Sequence, residues 1–183
     1  MHQKNQLRKK YFNLRKKKHF DIEKIFFLPL LNLIHLKIKK KSIKIALYYP
    51  SNYELNVLKL LEFNYFLKQD ILLPVVDKNN FMNFFPWKKN DILFVNQFGI
   101  LEPVKSKAKV PDLILVPLLA FDKKKYRLGY GKGYYDRYLN KHIKRFKNIL
   151  TVGIAFSFQR HHKLPINKKD VKLDFIITEK GIN

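Results

Sequence analysis

Short apolar runs recur along the chain, and their length and composition predict buried β-strands. SIKIALYY (residues 42–49), DILLPVV (residues 70–76) and DLILV (residues 112–116) are rich in aliphatic and β-branched residues and are too short for a buried helix. ILTVGIAF and DFIIT, which begin at Ile149 and Asp174, have the same character. Two further runs, FMNFF and ILFV, flank a Pro-Trp turn and predict an antiparallel excursion.

Three segments have apolar residues at helical spacing. Residues 4–19 combine such positions with lysines and predict a short surface helix. Ser51 and Glu54 form the S-x-x-E pattern of a capping box, which predicts that a helix begins there. A third helix is predicted over residues 134–146. The apolar residues of these segments are Leu7, Tyr11, Leu14, Leu55, Leu58, Leu61, Phe66, Tyr135, Leu139, Ile143 and Phe146.

The order of these elements predicts an α/β fold. The strand, helix and strand over residues 42–76 form the unit that builds parallel sheets with right-handed crossovers. We therefore expect a single domain over residues 1–183 with three layers, in which helices flank a mainly parallel, Rossmann-like sheet. Ligands bind such sheets at the carboxyl ends of the strands.

Composition excludes several classes of site. The chain of 183 residues has no cysteine, so it forms no disulfide and no thiolate metal site. The most apolar stretch, residues 25–36, contains Pro29 and Asn32 and is shorter than the ~20 residues that span a bilayer. We therefore expect a cytoplasmic protein that has no membrane partner and is a monomer.

The formal net charge of +24 favours negatively charged partners. Clustered lysines bind nucleic-acid phosphates without sequence preference. Here, however, lysines recur from Lys4 to Lys180 and form no single patch, which is typical of AT-rich coding sequence. We expect small polyanionic ligands and no specific nucleic acid, while a basic nucleic-acid-binding module stays open as an alternative.

The stretch RLGYGKGYYDRYL (residues 127–139) places three glycines between a predicted strand and a predicted helix. Glycine tolerates positive φ and a closely approaching ligand, and a helix N-terminus attracts phosphate through its unpaired N–H groups and its dipole. The spacing differs from the Rossmann G-x-G-x-x-G, because Tyr134 stands at the third glycine position, and from the P-loop. A tight turn without a ligand is the alternative.

The side chains around these glycines favour a nucleotide-phosphate site with magnesium. Arg127 and Lys132 are phosphate donors, and Tyr134 and Tyr135 offer rings for stacking. Asp136 supplies carboxylate oxygens for a divalent cation. Its alternative role is that of a helix-start acid stabilised by the dipole. These residues do not decide which nucleotide binds.

The longer segment PDLILVPLLAFDKKKYRLGYGKGYYDRYL (residues 111–139) resembles the signature of the 5-formyltetrahydrofolate cyclo-ligase family, also called methenyltetrahydrofolate synthetases. KNQLR (residues 4–8) and ALYYPSNYE (residues 46–54) are similar to the family's amino-terminal motif and its folate segment. GILEP (residues 99–103) and DVKLDFIITE (residues 170–179) resemble later blocks. The resemblance covers nearly the whole chain, in order.

The resemblance implies the same α/β fold and an ATP-dependent ring closure. ATP phosphorylates the formyl oxygen of 5-formyltetrahydrofolate, the amine at position ten attacks the activated carbon, and phosphate leaves. The products are 5,10-methenyltetrahydrofolate, ADP and phosphate. Because an amide-like oxygen is a poor nucleophile, the enzyme must position it and neutralise charge at the terminal phosphate. Lys4, Arg8, Arg127 and Lys132 are the matching cations, together with Mg²⁺.

The resemblance also implies roles for individual residues. Arg127, Lys132 and Tyr134 would be catalytic, and Asp136 and Asp170 would hold Mg²⁺. ATP would contact Lys4, Asn5, Gln6, Leu7, Arg8, Arg127, Leu128, Gly129, Tyr130, Gly131, Lys132, Gly133, Tyr134 and Tyr135. The folate pocket would be lined by Arg8, Tyr49, Glu54, Tyr130, Gly131, Lys132, Gly133 and Tyr134.

Each assignment has a structural alternative. Lys4 and Arg8 lie in a lysine-rich terminus and could be solvated charges. Glu54 has a capping role that could be its only one, and Asp170 could be an ordinary loop acid. An inactive relative of the family is a further alternative, against which the intact glycine stretch argues.

The chain departs from the family pattern at three positions. Leu118 stands where glycine is usual, Lys169 where histidine is common, and Asn56 where threonine is frequent. All three lie beside the predicted phosphate site, so they bear on the packing of the folate more than on the reaction.

Overall fold

A seven-stranded sheet forms the centre of the computed structural model, which describes residues 2–97, 99–143, 146 and 148–183. The described residues form eleven strands, of which seven build this sheet, while β4 pairs with β5 and β7 pairs with β8 in two separate hairpins. The strands are β1 (Lys44–Ala46), β2 (Asp70–Val76), β3 (Met82–Pro86), β4 (Leu93–Val95), β5 (Leu101–Pro103), β6 (Leu113–Pro117), β7 (Ala120–Phe121), β8 (Arg127–Leu128), β9 (Leu150–Ile154), β10 (Phe175–Thr178) and β11 (Gly181–Ile182). The central order is β11-β10-β9-β6-β1-β2-β3. The five middle strands are parallel, whereas β3 and β11 pair antiparallel at the two edges. The predicted mainly parallel sheet is confirmed.

Helices cover both faces of the sheet. The α-helices are α1 (His2–Lys18), α2 (Leu28–Lys37), α3 (Asn64–Leu67) and α4 (Tyr134–Ile143), and 3-10 helices span Lys24–Phe27, Val57–Glu62 and Ser157–Gln159. The first predicted helix is therefore confirmed, as is the start of the last. Residues 144 and 145 of the predicted helix over residues 134–146 lie outside the described residues. Among the described helices, none is long and apolar enough to cross a membrane.

Successive side chains along the central strands point to opposite faces of the sheet, and this produces two core layers. In β6, Leu113 and Leu115 face the layer that contains α2, while Ile114 and Val116 face the layer that contains α4. Strands with both faces buried carry continuous aliphatic runs, which is why the apolar pattern identified them. A third cluster lies beneath α1 and includes Tyr11 and Leu128. That the chain forms a single domain stays a prediction.

The prediction that a helix begins at the Ser51–Glu54 pattern is wrong. Asn52 and Tyr53 have positive φ values of 49° and 63°, so the chain makes a turn there instead of a first helical turn. The backbone N–H of Ser51 still donates to Oε2 of Glu54, at 3.0 Å. Helical structure begins only at Val57, where the Asn56 side chain accepts from the N–H of Leu58.

The predicted strands are present but differ in extent. The run over residues 42–49 forms β1 over Lys44–Ala46 alone, although the N–H of Leu47 still donates to the carbonyl of Leu72 in β2. The two runs around the predicted Pro-Trp turn do form antiparallel pairs, but with other strands and not with each other. β3 pairs with β2, and β4 pairs with β5 in a separate hairpin. Because β1, β2 and β6 are parallel, their carboxyl ends meet at one edge, and the candidate site lies there.

Candidate active site

A cavity of about 940 Å³ opens at the carboxyl ends of β1, β2 and β6. Its volume lies at the upper end of the range for small-molecule sites, roughly 300–1,000 Å³. The predicted site residues that line it are Lys4, Arg8, Tyr49, Glu54, Arg127, Leu128, Gly129, Tyr130, Gly131, Lys132, Gly133, Tyr134, Tyr135, Asp136 and Asp170. The fold thus brings together segments that are up to 166 residues apart in the chain.

Three predicted ATP contacts do not line this cavity. Asn5 accepts a hydrogen bond from Nη1 of Arg8 at 2.6 Å, and so supports a residue that does line it. Gln6 bonds to His2 on the exposed face of α1, and Leu7 packs in the cluster beneath this helix. Asn5 thus supports Arg8 and Leu7 packs α1 onto the core, while the contact of all three residues with ATP stays a prediction.

The glycine stretch forms a loop between β8 and α4. Gly131 and Gly133 have φ values of 101° and 69°, a conformation that other residues rarely adopt. A Cβ at Gly131 would lie 3.1 Å from Cζ of Arg8, because the Arg8 guanidinium rests against this loop. Nε of Arg8 also donates to the carbonyl of Gly129 at 2.9 Å. The loop therefore presents bare backbone and a cation to the cavity at the start of α4.

Arg127 and Asp136 form an ion pair, with 2.9 Å between Nη2 and Oδ1. The Arg127 side chain is only 3% exposed, and its Nη1 donates to the carbonyl of Val171. The N–H of Val171 in turn donates to Oδ1 of Asp136. Burial lowers the pKa of Arg127, and the Asp136 carboxylate opposes this effect. The pair ties the start of α4 to the segment that precedes β10.

A second ion pair joins the two ends of the chain. Nζ of Lys4 lies 2.5 Å from Oδ2 of Asp170, and both side chains are largely buried. The N–H of Asn167 donates to the same oxygen at 2.6 Å. Each predicted magnesium ligand is thus paired with a residue predicted to contact ATP.

The two carboxylates are a suitable donor set for Mg²⁺. This ion is usually held by one or two carboxylates, substrate phosphates and water, with no all-protein cage. Within the described part of the chain, Oδ2 of Asp136 and Oδ1 of Asp170 make no hydrogen bond, so each residue has one oxygen available to a cation. No group of three or more His, Cys, Asp or Glu residues that could hold a metal exists among the described residues.

Glu54, Tyr130 and Arg15 form a hydrogen-bonded cluster on the folate side predicted from the sequence. The Tyr130 hydroxyl donates to Oε1 of Glu54 at 2.9 Å, and Nη2 of Arg15 donates to the Tyr130 hydroxyl. Burial raises the pKa of Glu54, while Arg15 and the hydrogen bonds from Ser51 and Tyr130 lower it. Arg15 was not predicted from the sequence as a site residue, although it lies on the same helical face as Leu7 and Tyr11.

Arg137 was also not predicted from the sequence. It lies in the first turn of α4 and holds the loop through hydrogen bonds. Its Nη1 donates to the carbonyl of Lys132 at 2.8 Å, and its guanidinium lies over the ring of Tyr134. Nη2 of Arg137 reaches the carbonyl of Asn80, whose side-chain oxygen accepts from the Tyr134 hydroxyl. The turn between β2 and β3 is thus fastened to the start of α4.

Tyr135 lines the same cavity, and its hydroxyl is buried. This hydroxyl has no hydrogen-bond partner among the described residues. Burial raises the pKa of Tyr135, and so does the nearby carboxylate of Glu54, so the phenol stays protonated and is available as a donor. An unpaired buried donor is costly unless a ligand satisfies it.

Comparisons with known proteins agree with this geometry. The model of the 5-formyltetrahydrofolate cyclo-ligase family matches residues 2–179. The chain is 35% identical over 179 residues to the 5-formyltetrahydrofolate cyclo-ligase of Mycoplasma genitalium, which covers 95% of this chain and 96% of that protein. It is 36% identical over 110 residues to the probable cyclo-ligase of Schizosaccharomyces pombe, covering 52% and 54%.

Among solved structures, the 5,10-methenyltetrahydrofolate synthetase of Aquifex aeolicus is similar throughout. The two chains superpose with a TM-score of 0.74 at 36% identity, and the match covers 98% of this chain and 91% of the Aquifex chain.

Proposed function

The chain belongs to the 5-formyltetrahydrofolate cyclo-ligase family, and we propose that its cavity binds ATP and 5-formyltetrahydrofolate side by side. The enzyme is an ATP-dependent ligase that closes the 5-formyl group onto N10 to give 5,10-methenyltetrahydrofolate, ADP and phosphate. The glycine loop, the two ion pairs and the Glu54 cluster each have a distinct part in this reaction.

The triphosphate lies along the glycine loop and the start of α4. Gly131 and Gly133 expose backbone N–H groups where the helix dipole favours negative charge. Lys4, Arg8 and Lys132 line the same side of the cavity and neutralise the phosphates. Arg127 is buried in its pair with Asp136, so it acts on the nucleotide through the position of that carboxylate and the start of α4.

The folate occupies the other side of the cavity. Glu54 and Tyr49 line the cavity together with apolar residues that include Pro74 and Val76. A buried carboxylate is an acceptor for the N–H groups of a pteridine, while the apolar wall covers its ring faces. Tyr130 and the glycine loop separate this region from the phosphates, so the formyl group faces the terminal phosphate.

Asp136 and Asp170 would hold Mg²⁺ through their available oxygens. When bound, this ion supplies charge neutralisation at the phosphates. The pairs with Arg127 and Lys4 hold both carboxylates in place at the cavity.

In the reaction, the loop and its cations hold the terminal phosphate in line with the formyl oxygen. An oxygen–phosphorus bond forms there as ADP departs. N10 then attacks the formyl carbon and loses its proton, and the carbon–oxygen bond breaks with release of phosphate. The Tyr134–Arg137–Asn80 contacts hold the loop against the cavity and limit the access of water.

One observation carries the proposal: positive-φ glycines at the start of α4 face the same cavity as a buried carboxylate, Glu54. The test is to mix the protein with Mg·ATP and 5-formyltetrahydrofolate and to follow the absorbance of the methenyl product together with ADP. We expect one ADP per product and no product without ATP. Asp136→Asn, purified in the same way, controls for contaminating activity.

Folded protein that forms no methenyl product would contradict the proposal. The cytoplasmic location, the monomeric state and the absence of nucleic-acid or membrane partners stay predictions.

A further inference from the structure

Arg15 is a charged side chain that the fold buries fully, and no role predicted from the sequence accounts for it. It is 1% exposed although it belongs to α1, whose neighbouring residues Lys16, Lys17 and Lys18 are exposed. Its guanidinium lies behind the folate side of the cavity and does not line the cavity itself. A buried cation is costly, so its partners indicate what it stabilises.

Those partners come from three separate segments. Nη1 of Arg15 donates to the carbonyl of Leu118 at 3.2 Å, just beyond β6. Nη2 donates to the carbonyl of Asn52 at 2.8 Å, inside the turn with two successive positive-φ residues. Nη2 also donates to the hydroxyl of Tyr130 in the glycine loop. One guanidinium therefore joins the turn that carries Glu54 to the loop beside it.

Tyr130 continues this network to the cavity. Its ring is 41% exposed on the cavity wall, while its hydroxyl points inward and donates to Oε1 of Glu54. Since the hydroxyl has one proton to donate, the hydrogen bond from Arg15 fixes the direction of that proton toward Glu54. The order of donation is thus Arg15, then Tyr130, then Glu54.

We propose that Arg15 is a positioning residue for the folate pocket, which orients the Tyr130 hydroxyl and thereby holds the Glu54 carboxylate toward the substrate. This inference rests on the proposed function, because it takes the region beside Glu54 as the folate pocket. Arg15 does not touch the substrate. A lysine at this position could not make the three divergent hydrogen bonds, because it has no planar fork of donors.

The electrostatics around Glu54 give the proposal a measurable signature. The ionisable groups that act on or respond to this carboxylate are Arg15, Tyr130, Tyr48 and Tyr135. Arg15 is the cation among these four groups. Burial raises the pKa of Glu54, and Arg15 and the Tyr130 hydroxyl oppose that rise. Removing either residue therefore raises the pKa further, and less of the carboxylate is ionised at a given pH.

The experiment uses Arg15→Gln and Tyr130→Phe in the full chain, with two readouts. The first is a carboxyl ¹³C titration by NMR, which is tractable because the chain has five glutamates: Glu23, Glu54, Glu62, Glu102 and Glu179. The second is KM for 5-formyltetrahydrofolate and for ATP across pH. Arg160→Gln and Tyr126→Phe are matched controls, because neither side chain lines the cavity or bonds to another described residue.

In both variants we expect the Glu54 resonance to titrate at higher pH than in the parent. KM for 5-formyltetrahydrofolate should rise about tenfold near neutral pH, while KM for ATP stays within about twofold. The acid limb of kcat/KM for the folate should move to higher pH. The controls should match the parent in both readouts.

A merely structural Arg15 would lower stability and leave these readouts unchanged. If Arg15→Gln does not fold, Tyr130→Phe decides the matter, because it removes one hydroxyl from a partly exposed ring. Parent-like values of either readout in folded Tyr130→Phe would overturn the inference. A parent protein without turnover would instead reject the proposed function, and the NMR titration would still decide whether Arg15 and Tyr130 act on Glu54.

Discussion

The guanidinium of Arg127 and the carboxylate of Asp136 lie 2.9 Å apart at the start of α4 and share Val171 as a backbone partner. A residue predicted from the sequence to bind phosphate and one predicted to bind metal are therefore one structural unit. Changing either residue alters the environment of the other, so substitutions at both positions are expected to affect nucleotide binding.

We expect Arg127→Ala to weaken ATP binding by about tenfold or more. The partly buried Asp136 carboxylate would lose its partner, and a buried guanidinium would be replaced by a smaller side chain, so the free energy of unfolding should also fall by about 1–3 kcal/mol. Isothermal titration calorimetry with ATP and thermal denaturation measure the two effects. Arg160→Ala is the control, since Arg160 is exposed and lies outside the cavity. An ATP affinity equal to that of the parent would rule out the role assigned to Arg127.

Asp136→Asn should abolish most turnover while the protein stays folded. Asparagine keeps an oxygen that can accept from Val171 and Arg127, but it loses the charge that Mg²⁺ requires. We expect kcat to fall by about 100-fold or more and the concentration of Mg²⁺ needed for half-maximal rate to rise.

Kinetics at several Mg²⁺ concentrations test this expectation, with Asp21→Asn as an exposed control outside the cavity. An unchanged Mg²⁺ dependence in Asp136→Asn would show that this carboxylate is not a ligand.

Gly131→Ala should be far more damaging than Gly129→Ala. Gly131 has φ of 101°, and its new Cβ would lie 3.1 Å from the Arg8 guanidinium, whereas a Cβ at Gly129 meets nothing within 4 Å. The strain of this substitution is about 1–3 kcal/mol, and it should displace the glycine loop. We expect KM for ATP to rise about tenfold or more in Gly131→Ala and to change little in Gly129→Ala. Equal kinetics in the two variants would mean that the loop conformation is not needed for binding.

Asp112 should contribute stability that is lost in acid. Burial raises its pKa, but the hydrogen bonds from Nζ of Lys40 and the N–H of Lys44 outweigh burial, and the net pKa is lowered. A carboxylate with a lowered folded-state pKa stabilises the protein above its unfolded pKa, about 3.9, and this contribution disappears as the pH falls through the folded value. Asp112→Asn should therefore lower stability by about 1–2 kcal/mol at pH 7.

The measurement for Asp112 is Tm as a function of pH for the parent and for Asp112→Asn. The two curves should converge below about pH 4. Parallel curves over the whole range would contradict the assigned ion pair.

Local sequence patterns predicted the buried strands and the glycine stretch, because both depend on which residue types follow one another in the chain. DILLPVV and DLILV became β2 and β6 because strands buried on both faces require continuous aliphatic runs. The glycine stretch could be recognised in the sequence for a similar reason, because few other residues tolerate a positive φ or a ligand that approaches the backbone closely.

The features that were missed depend on distant contacts. Arg15 stands in a run of basic residues, and its burial is decided by carbonyls and a hydroxyl that lie 37 to 115 residues away. Its place four residues after Tyr11, on the apolar face of α1, was the available signal. The Ser51–Glu54 pattern correctly indicated a hydrogen bond between these two residues. It did not indicate a helix, because Asn52 and Tyr53 have positive φ values.

The position of α1 has a consequence for synthesis of the protein. Its Lys4, Arg8 and Arg15 bind partners at residues 170, 129 and 130, so α1 cannot make all of these contacts until residue 170 has also been synthesised. At 5–20 residues per second, this interval lasts roughly 10–30 s. Throughout that time α1 is a basic, undocked segment of the nascent polypeptide, and the cavity lacks the side chains of Lys4 and Arg8 from its lining.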